Sequence, residues 1–134
     1  MFAYSSISDE VAPSLNFPMD NSPFTYNDIK NGTLNEVHNV GELWAATLFD
    51  IRKVLGAAVT EQLVVTGMKL TPCNPSMLNA RDGILQADAN INGGANHCAI
   101  FRAFAARQMG TGASSPSDAS TTAIVTSTDV PPGC

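Results

Sequence analysis

The sequence is poor in charge and in the residues from which catalytic centres are built. Its seven basic side chains, Lys30, Arg52, Lys53, Lys69, Arg81, Arg102 and Arg107, are scattered among twelve acidic ones, for a net charge of −5. Without a basic stripe to neutralise phosphates, nucleic acid and anionic membrane surfaces are excluded as expected partners. No apolar run reaches the roughly 20 residues of a transmembrane helix. The opening MFAYSSISDEV lacks the basic segment and apolar core of a secretory signal, so no signal peptide is read in this chain. Histidine occurs only at His38 and His97, and neither begins an HExxH. The three cysteines, Cys73, Cys98 and Cys134, are too widely spaced for a CxxC metal knuckle. A GxSxG elbow and a GK[ST] phosphate loop are absent as well. A complete zinc site cannot be assembled from these residues alone, and no internal repeat is present.

What the sequence does contain points to a mainly α fold. With 134 residues, 44% apolar and 14% charged, it suits one domain with a modest core rather than a disordered chain. Residues 1–33 read as an extended arm, because Pro13, Pro18 and Pro23 interrupt any helix and the aromatics Tyr4, Phe17, Phe24 and Tyr26 can pin it. Residues 34–110 form a helical body, and residues 111–134 an irregular polar tail with little to bury before Ile124 and Val125.

Four helices are expected in the body. Thr33-Leu34-Asn35-Glu36 matches a capping box and predicts a helix over 34–55, with Val37, Val40, Trp44, Leu48, Ile51 and Leu55 inward and Gly56 as its stop. Glu42, Asp50 and Lys53 lie off that stripe. A second helix near 59–70 is weakened by Gly67. A third over 75–91 would take Asn74 as cap and Pro75 as its first residue, and a fourth near 96–109 would end on a left-handed Gly110.

His38 is the residue that local chemistry singles out. Gly41 and Ala45, three and seven residues on, make a flat stripe along which a large group could approach the ring. The helix dipole disfavours its charged form and Glu36 favours it, which leaves the charge state open. On the residues alone a structural role comes first. Cys98 beside His97 is no catalytic pair, since neighbours i and i+1 do not face each other on a helix. Asn31-Gly32-Thr33 is an N-glycosylation acceptor and leans, with the cysteines, towards an extracellular protein, although so short a motif also arises by chance.

Three stretches, NEVHNVGELWAATLFDI, GMKLTPCNPSMLNARDGILQADANINGGANHC and FRAFAARQMGTGAS, together resemble the C-terminal portion of the fungalysins. These are secreted zinc metallopeptidases with a thermolysin-like plan, and the likeness runs over roughly residues 2–134. The resemblance implies the C-terminal helical lobe that forms one wall of the substrate cleft, acting on protein or peptide substrates outside the cell. Zinc would be held by an HExxH and a downstream glutamate in the missing N-terminal catalytic lobe, with none of its ligands in this chain. Val37-His38 matches the pair whose imidazole hydrogen-bonds the oxyanion of the tetrahedral intermediate. Cys73 and Cys98 would pair, leaving Cys134 over. The family's longer insertion between the first two helices is missing here, where RKVLGAAVTEQ joins them directly. On this reading the chain is a fragment, inactive alone; the alternative is a stand-alone helical binding module descended from such a lobe.

Overall fold

The computed structural model describes residues 16–116 and 122–134. A 3-10 turn (Met19–Asn21) is followed by five α-helices: α1 (Tyr26–Lys30), α2 (Val37–Leu55), α3 (Ala57–Lys69), α4 (Met77–Asn92) and α5 (His97–Ala106). The expected mainly α architecture is thus the observed one, and the described residues include no strand beyond two isolated bridges. Tyr4 and Pro13 of the expected arm lie outside the described residues.

The start of α2 departs from the expected capping box. Leu34 is buried to 1% exposure, and its amide bonds the carbonyl of Asp28 at 2.8 Å, so the chain there is tied to α1 and cannot enter the helix. Glu36 takes over as the N-cap, accepting the amides of His38 at 3.1 Å and Asn39 at 2.7 Å. Val37, the first residue of α2, shares a face with Trp44 but is 73% exposed in the end turn, whereas Trp44, Leu48 and Ile51 are buried in the core. True capping boxes form elsewhere, from Thr25 and Asp28 on α1 and from Ser76 and Asn79 on α4. Asn74 is therefore not the cap of α4; it sits at φ +52° in the preceding turn, and Pro75 stays outside the helix.

Gly56, at φ +85°, alone separates α2 from α3. The more extensive contact is between α3 and α4. Gly67, which local propensity counts against its helix, is where the two backbones meet. A Cβ at Gly67 would sit 2.9 Å from the amide nitrogen of Ile84, and one at Gly83 would sit 2.7 Å from the carbonyl of Gly67. Both glycines lie in a crossing too close for any side chain, and Leu63, Val64, Ile84 and Ala87 close over it.

Beyond α5 the left-handed residue is Gln108, at φ +68°, and not Gly110. Gly110 is required for a different reason: the tail returns against it, and a Cβ there would lie 2.2 Å from the carbonyl of Asp129. Its amide bonds Ser127 at 2.7 Å, the amide of Thr111 bonds Asp129 at 2.9 Å, and Ser114 and Val125 exchange two bonds of 3.0 Å. Ile124 enters the common core while Val125 stays half exposed.

This return corrects the cysteine pairing. Cys98 is bonded to Cys134 with a Cα–Cα distance of 5.2 Å, and Cys73 is an exposed free thiol. Cys73 precedes α4 and Cys98 follows it, so a helix of 16 residues stands between them, which at 1.5 Å per residue is about 24 Å of rod. Arg102 Nη2 also holds the Cys134 carbonyl at 2.7 Å, placing the tail beside α5.

Three variants check this packing. Gly83→Ala should lower the unfolding free energy by about 1–3 kcal/mol through overpacking, read from urea midpoints. Cys134→Ser should cost about 2–4 kcal/mol, while Cys73→Ser should stay within about 0.5 kcal/mol of the parent. The reverse order would restore the Cys73–Cys98 pairing.

Candidate functional site

The first turn of α2 gathers the site. Glu36, the N-cap, points its carboxylate back over the turn, and the His38 ring approaches with Nδ1 2.9 Å from Glu36 Oε2. A carboxylate can only accept, so Nδ1 carries the hydrogen of this bond and Nε2 is turned away from it. The His38 side chain is 86% exposed. The His38 ring bond, followed by the amides of His38 and Asn39, holds the Glu36 carboxyl below the usual carboxylate range. One side chain thus starts the helix and orients the imidazole. Of the expected flat stripe, Gly41 is half-buried and Ala45 buried, so the open approach to the ring is confined to the helix's first turns.

Glu42 is the residue that sequence reasoning placed wrongly. It was expected off the apolar stripe, yet it is 1% exposed. Its two oxygens receive the amide of Phe17 at 2.8 Å, the amide of Asn16 at 3.2 Å and Asn16 Nδ2 at 3.1 Å. Asn16 Nδ2 also lies 3.3 Å from Asn39 Oδ1. The arm is thereby fastened across the first two turns of α2, one turn below His38, and the half-exposed Phe17 is held there against Phe24, with ring centroids 5.3 Å apart. A signal existed: the positions three and four residues from Glu42 are Asn39, His38, Ala45 and Ala46, none of them a lysine or arginine. A carboxylate without a cationic partner on its own helix has to find donors elsewhere.

The remaining singled-out residues are not brought to this turn. His97 begins α5, with its ring edge-on to Phe101 at 5.6 Å. Asn31 is exposed at the end of α1, and its Oδ1 receives the amide of Thr33 at 2.9 Å. A polar concavity of about 410 Å3 opens at the start of α4 beside Asn79, Asp82 and Ser115. The Arg81 guanidinium that lines it is committed to the carbonyls of Met109 and Gly110, at 2.9 and 2.8 Å, and to Asp82. Among the described residues no three His, Cys, Asp or Glu side chains stand together as a metal ion would need. These residues do not fit a zinc site. No described helix is long and apolar enough to cross a membrane.

Comparison with known proteins identifies what this arrangement belongs to. The family model for the fungalysin metallopeptidases (M36) matches residues 13–113. Extracellular metalloproteinase 10 of Coccidioides posadasii is 38% identical over 113 residues, covering 69% of this chain and 18% of that protein. Extracellular metalloproteinase MEP of Neosartorya fischeri is 36% identical over 136 residues, covering 86% of this chain and 20% of the relative. Extracellular metalloproteinase 3 of Trichophyton rubrum is 34% identical over 137 residues, covering 87% and 21%. The chain therefore spans about a fifth of the length of the curated relatives it matches. With most of its residues inside the family model and more than a third of aligned positions identical in these relatives, the chain belongs to the fungalysin metallopeptidase family.

Proposed function

We propose that this chain is the helical lobe of a secreted fungalysin-type zinc metalloendopeptidase. It forms one wall of the cleft for protein or peptide substrates, and His38 is the hydrogen-bond donor to the oxyanion. The observation that carries the reading is an exposed imidazole, oriented by Glu36 at a helix start, on a chain of this family. The relatives' names place them outside the cell, and an extracellular location is taken over here from them.

Peptide hydrolysis moves negative charge onto the oxygen of the scissile carbonyl. A donor already aimed at that oxygen stabilises the transition state by about 2.7–4 kcal/mol. With Nδ1–H directed at Glu36, donation from Nε2 calls for a ring that carries both hydrogens, and the Glu36 carboxylate balances its charge. Val37 and Phe17, both open to solvent beside this turn, supply apolar contact for a substrate side chain. The zinc of the family polarises the carbonyl and activates water when bound. Because the described residues do not fit it, its ligands are assigned to the N-terminal catalytic lobe, and the isolated chain should hydrolyse no peptide.

The test is a chimera in which this chain replaces the matched fifth of Extracellular metalloproteinase MEP. Peptide hydrolysis should survive, and His38→Ala in the chimera should lower kcat by about 10²–10³-fold with little change in KM. Undiminished kcat in that variant would remove the oxyanion role. A chimera that folds but never cleaves would favour a stand-alone binding module.

The Glu36 contact makes a separate prediction. Its carboxyl is held low in the folded state, so its contribution to the helix start is present above the unfolded pKa and is lost as pH falls through the folded one. NMR titration should place its midpoint below that of an unstructured peptide of the same sequence. Glu36→Gln should speed hydrogen exchange at the amides of His38 and Asn39, which lose a charged acceptor.

A further inference from the structure

We propose that Asn31 is an N-glycosylation site, taking an oligosaccharide from a polyprenyl-pyrophosphate donor during secretion. The proposal adopts the secreted location argued above and is otherwise independent of the role given to His38. Asn31-Gly32-Thr33 is the single Asn-x-Ser/Thr in the sequence with a residue other than proline at its centre. Asn74-Pro75-Ser76 has the same outer residues and is blocked by its proline.

The structure supplies what the three-residue motif cannot. Asn31, Gly32 and Thr33 are all exposed, between Ile29 and Leu34, which are both buried in the core. Backbone bonds fix the turn at each end: the amide of Asn31 to Asn27 at 2.9 Å, Gly32 to Ile29 at 3.2 Å and Leu34 to Asp28 at 2.8 Å. Gly32 adopts φ +84°, and no atom lies within 4 Å of the place a Cβ would occupy, so the tip of the turn faces open space. Asn31 Oδ1 accepts the Thr33 amide at 2.9 Å, joining the first and third residues of the motif. Both hydrogens of Asn31 Nδ2 are left uncommitted. A bulky glycan can therefore leave from Nδ2 without displacing a packed side chain.

The transfer balances simply. Nδ2 attacks C1 of the first sugar, the C1–N bond forms as the C1–O bond to pyrophosphate breaks, and the amide proton leaves with a base. No oxidant or reductant is involved. The glycan would mark the α1–α2 turn as a solvent face of the mature protein. Seven residues on from Asn31, any partner that covers His38 has to leave that turn open.

Translation of the full chain into microsomes behind a cleavable leader tests the site directly, with protease protection reporting import. The expected result is a mass increase on imported chains, removed by peptide-N-glycosidase, with the attachment mapped to position 31. Asn31→Gln and Thr33→Ala should abolish the increase, and Thr33→Ser should retain it. Imported chains without glycan, or glycan surviving Thr33→Ala, would overturn the proposal. Because the leader is supplied, neither result bears on the native compartment or on the oxyanion assignment.

Discussion

The guanidinium of Arg107 joins parts of the chain that share no helix. From the end of α5 it grips both oxygens of Asp50 on α2, at 2.5 and 3.3 Å, and the carbonyls of Ser22 and Phe24 in the arm, at 3.0 and 2.7 Å. Its own carbonyl receives the amide of Tyr26, which starts α1. A planar, always-charged fork suits this task, since each donor has a fixed direction. Burying it is tolerable because carboxylate and carbonyls replace the lost water. Arg81 does the same from α4 two residues further along, holding the carbonyls of Met109 and Gly110 and covering the ring of Phe101 at 5.1 Å. Between them, the two arginines fix the stretch 107–110, against which the tail then registers.

That fixed frame is what gives the first turn of α2 its position. The arm reaches Glu42 only because Ser22 and Phe24 are anchored behind it. Two carboxylates then divide the work on one helix: Glu36 supplies the cap and the ring contact in solvent, and Glu42 supplies a buried acceptor for incoming amides. Glu36, at the N-cap, sits where the helix dipole favours negative charge; Glu42, a turn further on, depends on its hydrogen-bond donors instead. The exposed imidazole lies between them, with Nδ1 on Glu36 and Nε2 turned away from it.

The helices were legible where the apolar period was strong. Trp44, Leu48, Ile51, Phe101 and Phe104 fall inward as their spacing requires, and Gly56 ends α2. Termini were less legible, because competing caps differ by little energy and tertiary contacts choose among them; the burial of Leu34 overrode the Thr33 box. Gly67 and Gly110 show a second limit. Both read locally as weak points or stops, and both exist because another part of the backbone passes within van der Waals distance. At the site, His38 could be singled out but not its anchor geometry, and Glu42 was missed because its donors come 26 residues earlier. The cysteine pairing could not be read from spacing, because the partner of Cys98 is brought to it by the return of the tail.

The Cys98–Cys134 bond has a consequence for a chain that belongs among peptidases. The polar tail is rich in the small residues at which proteases commonly nick a surface segment. The bond closes a loop spanning 36 residues. A single cut anywhere within it cannot release a fragment, since both new ends stay covalently tethered through α5. The severed tail keeps a high local concentration beside Gly110, Thr111 and Ser114 and can re-form its backbone bonds to them. A nicked chain would therefore remain one covalent piece, with its tail still held at α5.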